Sequence, residues 1–540
     1  MSTVREATFE LFRAHGMTTI FGNPGSTELP MLADFPDDFT YVLGLQELPV
    51  MGMADGFAQA TGRPTHVNLH TAPGVGNAVG GIFNAQANKS PLVITAGQQV
   101  RPHITIEANL TNRDAVVGPQ PYVKWGHEPP RAQEVPGALA RAIHLASLPP
   151  RGPVFVSIPM DDWNAEADED RTVNAIGRAV RGRVGADPKA LADLADRLQS
   201  AANPVLIAGP DIDASGGWDA AIALAERQRL PVWASPATGG SRIGFPENHP
   251  QFLGVLPPAI GPLSQTLTDH DLLLVVGSSV FPYYPYIPGP LLPEGASLVA
   301  ITSDPGEAAR APMGEAIVGD VAGALSALVA LVGESDRPAP QARPAPPDPS
   351  PTSPDSGSSD PMSGSEAMAA LADAWPADGI AVLESPSSTL ALRNRLRLSK
   401  PGSYYFGASG GLGFGISAAV GVQLAQPGRP VVCVLGEGSA QYGITALWTA
   451  VAYKAPVTFL VLRNDEYGIL KWFATLEQVA GAPGLELPAL DTAAVARGYG
   501  VPSVDANSRE ELTVALGEAI AADDGPRLVQ ARVAAGMWFE

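Results

Sequence analysis

Val431-Val432-Cys433-Val434-Leu435-Gly436-Glu437-Gly438-Ser439 is the stretch on which the reading of this chain turns. An apolar run rich in valine predicts a strand buried on both faces, the kind that parallel sheets use. It stops at a Gly-Glu-Gly-Ser turn, a helical pattern follows over 440–453, and a second apolar run, 457–462, ends at Arg463-Asn464-Asp465. Strand, helix and strand in that order predict a right-handed βαβ unit, with both strand ends at the same edge of the sheet. Glu437 and Asn464, 27 residues apart, then face one small volume.

The chemistry of that volume follows from its residue types. Glycines on either side of the acid let the backbone approach an anion, and Ser439 with the helix start behind it suits a phosphate. A carboxylate, an amide oxygen and the backbone carbonyl near Glu466 make an oxygen site for Mg²⁺, to be completed by diphosphate oxygens and water. A plain structural turn would also read Gly-x-Gly after a strand; Asn464 at this spacing is what favours the site.

The same grammar extends in both directions. Strand-length apolar runs occupy 18–21, 41–45, 66–70, 92–96, 154–158, 205–208, 272–276, 298–301, 380–383 and 528–533. Helical patterns separate them, as at 188–199, entered by Asp187 as N-cap with Pro188 in the first helical position. Alternation of this kind predicts an α/β protein built as three doubly wound parallel-sheet domains. Residues 335–364 carry no apolar periodicity, and 16 of those 30 residues are Pro or Ser, so they read as an extended linker. A polar stretch at 162–183 marks another boundary. The expected units are 1–165, 183–334 and 365–540, with the linker at 335–364.

Composition narrows the partners. Apolar residues make 45% of the 540, enough to build several cores, while only 16% are charged. Lys and Arg number 34 against 55 Asp and Glu, a net charge of −21 that repels phosphate backbones and argues against nucleic acid. No apolar run is long enough for a membrane span, and the first residues do not form a secretory signal. A single cysteine, Cys433, cannot close an internal disulfide, and the eight histidines lack zinc-like spacing. A cytoplasmic protein is the simplest expectation.

Strand ends in the first unit add a second constellation. The run 18–21 leads into Gly22-Asn23-Pro24-Gly25-Ser26, the run 41–45 into Gln46-Glu47, and 66–70 ends at His70 before a Gly-rich turn, Pro73-Gly74-Val75-Gly76-Asn77. Glu47 sits among Leu45, Leu48, Val50 and Met51, where a carboxylate is costly unless partnered or protonated. A helix-starting glutamate favoured by the dipole and a core histidine bonded to backbone are the plainer readings of Glu47 and His70. Ser26, Glu47 and His70 on successive strand ends favour a ligand, because ligands bind at that edge of open α/β sheets.

At these residues the chain resembles the thiamine-diphosphate-dependent 2-oxo-acid decarboxylases, most closely their benzoylformate-cleaving branch. The likeness runs through Phe21-Gly22-Asn23-Pro24-Gly25-Ser26, Leu45-Gln46-Glu47, Asn68-Leu69-His70, Thr95-Ala96-Gly97-Gln98-Gln99 and Gly402-Ser403-Tyr404-Tyr405-Phe406. It continues through Gly410-Gly411-Leu412-Gly413-Phe414, Ala446-Leu447-Trp448-Thr449-Ala450 and Lys471-Trp472-Phe473. The resemblance implies pyrimidine-binding, central and diphosphate-binding domains, with thiamine diphosphate and Mg²⁺ bound across a dimer interface of a homotetramer, a dimer of dimers. By the same resemblance Glu47 activates the cofactor's aminopyrimidine, and Leu412 holds the cofactor bent, bringing its amino group to the reacting carbon. Ser26 would engage the substrate carboxylate and His70 would move protons. Asn23, Pro24, Gly25, Ser387, Gly410, Gly436, Gly438, Ser439 and Tyr467 would contact the cofactor, and Glu437, Asn464 and Glu466 the metal. Phe406, Leu470 and Phe473 would line the substrate pocket, so the expected substrate is a small aromatic or bulky 2-oxo acid, benzoylformate first, or an aldehyde.

Four positions depart from the family pattern. Glu437 stands where the metal-binding acid is Asp, one methylene longer than suits Mg²⁺ bonds held near about 2.1 Å unless the loop shifts. Arg463 replaces an Asn and is free to pair with diphosphate, with Glu437, or with nothing. Pro386 replaces a Thr that would help hold diphosphate, leaving Ser387 as the remaining hydroxyl. Tyr284 falls where the family carries a second active-site histidine, and tyrosine is a poor proton relay at neutral pH. Slower protonation leaves more time for attack on a second aldehyde, a shift towards carboligation. Two other functions stay open at this stage: an acetolactate-synthase-like carboligase, and a non-catalytic scaffold whose cofactor site has decayed.

Overall fold

The apolar runs become inner strands of three six-stranded sheets, except the run at 41–45, which becomes an edge strand. The computed structural model describes residues 2–236, 241–349 and 361–537. The first sheet holds β1 (Thr19–Gly22), β2 (Thr40–Leu43), β3 (Thr65–Leu69), β4 (Leu92–Gln98), β5 (Gly126–His127) and β6 (Val154–Pro159), in the order β2-β1-β3-β4-β6-β5. The second holds β7 (Pro204–Ala208), β8 (Val232–Ala234), β9 (Phe252–Val255), β10 (Leu272–Val276), β11 (Ser297–Thr302) and β12 (Glu315–Val318), ordered β12-β11-β10-β7-β8-β9. The third holds β13 (Ile380–Glu384), β14 (Tyr404–Phe406), β15 (Val431–Gly436), β16 (Val457–Arg463), β17 (Ser503–Ala506) and β18 (Arg527–Arg532), ordered β14-β13-β15-β16-β18-β17. Pairings within the three sheets are parallel.

Subtracting twelve from each strand number turns the third order into the first. The first and third sheets therefore share one topology, and the helices that follow their second strands are counterparts. Those two helices, Glu47–Thr61 and Gly415–Ala425, pack directly on each other, and small residues set how close they come. A methyl group on Gly421 would overlap the Met53 carbonyl, and one on Gly56 would overlap the Ala418 carbonyl. One apolar core consequently contains Phe21, Val50 and Ile82 of the first unit together with Val382, Val420 and Phe459 of the third. The second sheet has its own core, around Leu206, Leu224 and Leu274.

Residues 335–349 form no helix or strand, yet they are tied down. Arg337 donates to the carbonyls of Leu198, Ala201 and Gln228, and Arg397 donates to the carbonyl of Pro344. This docking is polar and made to backbone oxygens, so no apolar periodicity announces it. Residues 350–360 of the expected linker lie outside the described residues, and the helix Gly364–Asp373 begins at the linker's last residue, entered by a Ser363–Glu366 capping box. Among the described residues no helix is long and apolar enough to cross a membrane.

A buried histidine makes this fold acid-sensitive. His66 on β3 is fully buried against Phe12, its Nε2 2.9 Å from Thr95 Oγ1, and burial pulls its pKa from 6.5 to about 3. The unfolded chain therefore takes up a proton near pH 6.5 that the folded chain refuses, so the stability this neutral ring supplies is present above 6.5 and lost as pH falls towards 3. Denaturant titrations from pH 7 to pH 4 are expected to show wild type losing about 1.4 kcal/mol per pH unit more than His66→Gln over that window. Parallel curves for the two proteins would contradict it.

Candidate active site

In the first sheet the strand order reverses at β1, and the crevice beyond the ends of β1 and β3 is where such sheets bind ligands. The turn after β1 carries Asn23, Pro24, Gly25 and an exposed Ser26; β3 ends at His70. Glu47 is the first residue of its helix, with Gln46 as N-cap, and only 7% exposed. Asn77 Nδ2 donates to its Oε2 (3.0 Å) and Asn23 Nδ2 approaches its Oε1 (3.4 Å). Amides, not a cation, thus solvate this carboxylate. The structure brings Asn23 to Glu47 and Gly25 to His70, with Gly74 between Glu47 and His70.

One local expectation is corrected. Pro73-Gly74-Val75-Gly76-Asn77 is not a turn but the first part of the helix Thr71–Ala87. Proline is tolerated in a first helical turn, whose N–H groups have no helical partner anyway. The absent side chain of Gly74 brings this helix close to Glu47, since a Cβ there would lie 3.3 Å from Glu47 Oε1. That helical geometry is what aims Asn77 at Glu47. Thr71, next to His70, is held at φ 39° with its hydroxyl buried and unpartnered, an unusual state for a β-branched residue.

The third sheet has its own crevice beyond β13 and β15. The helical pattern expected over 440–453 is two helices, Glu437–Gly443 and Ala446–Ala452, interrupted at Ile444 and Thr445. Glu437 is 1% exposed and its Oε1 accepts the Asn464 N–H (3.1 Å). Burial pushes its carboxyl above the usual range, and backbone N–H groups only partly offset that. Asn464 Oδ1 accepts the Glu466 N–H (3.2 Å). The Glu466 side chain, however, turns away: one oxygen accepts from Lys471 Nζ and the other from the Gly536 N–H (3.0 Å). Of Glu466, the carbonyl alone remains for a metal. Arg463 pairs with Asp465 (2.8 Å), so Glu437 keeps no cationic partner from it. Cys433, on the strand beneath, is fully buried, and burial holds its thiol protonated.

The loop bearing Gly410 and Leu412 is anchored from the first unit. Asn84 Nδ2 donates to the Gly411 carbonyl (3.1 Å) while its Oδ1 accepts from Ser409, and Asn88 Oδ1 accepts the Ala408 N–H (3.0 Å). From the third unit's side, Glu384 accepts the N–H groups of Gly413, Phe414 and Gly415. Ser387 lies partly exposed in the turn after β13. Tyr467 lies against Gly438, where a Cβ would come within 2.5 Å of its ring, and Ser439 is nearly buried behind Gly436. Tyr284 stacks on Phe473 with ring centres 4.9 Å apart, and Leu470 is exposed nearby on the same helix as Phe473. Phe406 is half-buried against the third unit's core at the end of β14.

Sequence reasoning missed Asn77, Asn84, Asn88, Glu384 and Lys471. Asn77 and Asn84, seven residues apart on the helix Thr71–Ala87, and Asn88 at its C-cap were the available signal, hidden by the misplaced turn. Among the described residues no hydrogen bond or ion pair joins the Glu47 cluster to the Glu437 cluster.

The donor set fits a diphosphate held through a divalent cation. Glu437 is a buried carboxylate with no cation, and an amide oxygen and a free carbonyl stand beside it, the hard oxygen ligands Mg²⁺ prefers. Among the described residues no three His, Cys, Asp or Glu side chains converge to hold a metal alone, so the ligand itself would have to complete the shell. A Cβ on Gly410 would meet nothing, which leaves room above that turn.

Known proteins are similar to this chain over its whole length. The thiamine pyrophosphate enzyme family matches in three parts: its N-terminal TPP binding domain over residues 2–115, its central domain over 191–328 and its C-terminal TPP binding domain over 387–531. Benzoylformate decarboxylase of Pseudomonas aeruginosa is 53% identical over 523 residues, 97% of each chain. An acetolactate synthase large subunit of Haemophilus influenzae is 28% identical over 95% of this chain and 91% of its own. The solved thiamine diphosphate-dependent 4-hydroxybenzoylformate decarboxylase of Rhodococcus jostii superposes with TM-score 0.95 at 46% identity, covering all of both chains. Benzoylformate decarboxylase from Polynucleobacter necessarius gives TM-score 0.95 at 40% identity, again over both whole chains.

Replacing Glu437 by Gln removes the buried charge and keeps the shape. Calorimetric titration is expected to show Mg²⁺-dependent thiamine diphosphate binding weakened at least about 100-fold, with the melting temperature of the cofactor-free protein unchanged or raised. Undiminished binding would place the metal elsewhere.

Proposed function

This chain belongs to the thiamine pyrophosphate enzymes, and from that premise we propose that it decarboxylates benzoylformate or a ring-substituted relative to the aromatic aldehyde and CO₂. The observation that carries the reading is the first crevice, where Ser26, Glu47 and His70 stand on adjoining strand ends in a chain similar throughout to a benzoylformate decarboxylase. We assign residues 1–165 to pyrimidine binding, 183–334 to the central domain and 365–540 to diphosphate binding, with 335–364 between them.

Thiamine diphosphate supplies a carbon nucleophile for the keto carbon and a sink for the electron pair that CO₂ leaves behind. The protein's part is to hold and to move protons. Asn77 and Asn23 orient the Glu47 carboxylate, so that it can accept an N–H of the cofactor's pyrimidine. The loop clamped by Asn84, Asn88 and Glu384 would hold Leu412 in place for the cofactor to rest against. Glu437, Asn464 and the Glu466 carbonyl take Mg²⁺; Gly436, Gly438, Ser439 and Ser387 take diphosphate. The exposed Ser26 hydroxyl receives the substrate carboxylate, and the apolar wall of Tyr284, Phe473 and Leu470 receives its ring.

Among the described residues no hydrogen bond or ion pair joins the Glu47 and Glu437 clusters within one chain, which supports a site completed by a second copy and a homotetramer built from such dimers. The single buried cysteine suits the cytoplasm.

Tyr284, where a histidine would relay a proton, supports a secondary carboligase activity. With benzoylformate, thiamine diphosphate and Mg²⁺, mass analysis is expected to find benzaldehyde and CO₂ in equal amounts, with some 2-hydroxyketone when an aldehyde is added. Tyr284→His is expected to lower the share of hydroxyketone about threefold or more. Keto acid consumed only in the presence of a second carbonyl would point to the acetolactate-synthase type of reaction, and absence of cofactor binding to a scaffold.

A further inference from the structure

Behind His70 lies a buried carboxylate whose position follows directly from the turn after β1. Glu28 is 1% exposed, whereas the His70 side chain is 21% exposed. Glu28 Oε2 is 2.8 Å from His70 Nδ1 and accepts the Gly25 N–H (2.9 Å). Its Oε1 accepts the Gly97 N–H (2.9 Å) and the Thr27 hydroxyl (2.7 Å). Gly25 and Gly97 are needed for this arrangement: a Cβ on Gly25 would fall on the His70 ring, and one on Gly97 would fall on Glu28 Oε1.

Counting donors fixes the proton. Two backbone N–H groups and a hydroxyl already donate to Glu28, so the carboxylate acts as an acceptor throughout, and the group facing it from His70 must be an N–H. Nδ1 therefore carries the ring's proton. Nε2 makes no hydrogen bond among the described residues, so in the neutral ring it is the unprotonated nitrogen. Gly25 packs directly against the Nδ1 edge of the ring.

We propose that Glu28 is the positioning residue of His70, locking the imidazole in the Nδ1–H tautomer so that Nε2 faces the substrate as the atom that takes and returns a proton. The inference rests on the reading that His70 moves protons, and the experiment separates the two. Nitrogen-15 NMR of the full chain labelled in histidine, with His70→Ala used to assign the signal, reads the tautomer without any turnover. The expected result is a protonated Nδ1 and a bare Nε2 in the wild type. In Glu28→Gln the carboxamide can donate to Nδ1, and the ring is expected to move to the Nε2–H form. Kinetically, Glu28→Gln should lower kcat about 100-fold with KM within about threefold. It should cost nothing further in a His70→Ala background, because a residue that acts only through His70 has nothing left to position.

A wild-type His70 in the Nε2–H form overturns the proposal even if Glu28→Gln does not fold. So does an unchanged tautomer in that variant, or an additional loss in the double variant. His70→Ala with full activity would instead overturn the role of His70 in proton transfer, leaving the tautomer measurement to judge Glu28 alone.

Discussion

The close approach of the helices Glu47–Thr61 and Gly415–Ala425 is the constraint on which the rest of this molecule depends. Because Gly56 and Gly421 put backbone against backbone, the first and third units are fused into one apolar core and cannot shift independently. The two helices hold equivalent places in two sheets of identical strand order. Their N-terminal ends carry Glu47 and the Leu412–Gly415 loop, and both ends are therefore fixed by the same contact. Asn84 and Asn88 add polar links from the first unit to that loop, so a movement of one crevice is felt in the other.

Electrostatics explains why these crevices wait for a ligand. Glu47 is held by amides and Glu437 by backbone N–H groups, and neither carboxylate has a cation of its own. Some buried acids of this chain are paired with cations: Glu247 meets Arg393, and Lys89 bridges Asp211 and Glu307, whereas Asp55 and Glu384 are held by neutral donors alone. Leaving a buried carboxylate without a counter-charge costs stability. The corresponding edge of the central sheet is bridged to the first unit instead. Gly209 packs on the Gly277 carbonyl, and Lys89 from the first unit reaches Asp211 beside it.

How much of this was legible in the sequence depended on burial. Inner strands announced themselves as apolar runs, whereas the short strands at Gly126, Phe252, Glu315, Tyr404 and Ser503 lie at sheet edges, where half-exposed residues give no run to read. Val232–Ala234, beside one such edge, is only three residues long. Ser26, Glu47, His70, Glu437 and Asn464 could be found because strand ends at a reversal of strand order converge. Asn77 was lost when glycines and a proline in a helix were read as a turn. For Glu466 the backbone carbonyl was the atom expected to face a metal, and only the fold reveals that Lys471 and the Gly536 N–H claim its side chain.

The central claim is that one cofactor is held between two copies of this chain, with Glu47 from one and Glu437 from the other. Mixing Glu47→Gln chains with Glu437→Gln chains, each inactive alone, tests it most directly after subunit exchange. Random pairing should restore roughly a quarter of the wild-type sites, because each mixed dimer rebuilds one intact site from its two unmutated acids. A mixture as inactive as its components, under conditions where exchange is verified by mass, would contradict the account.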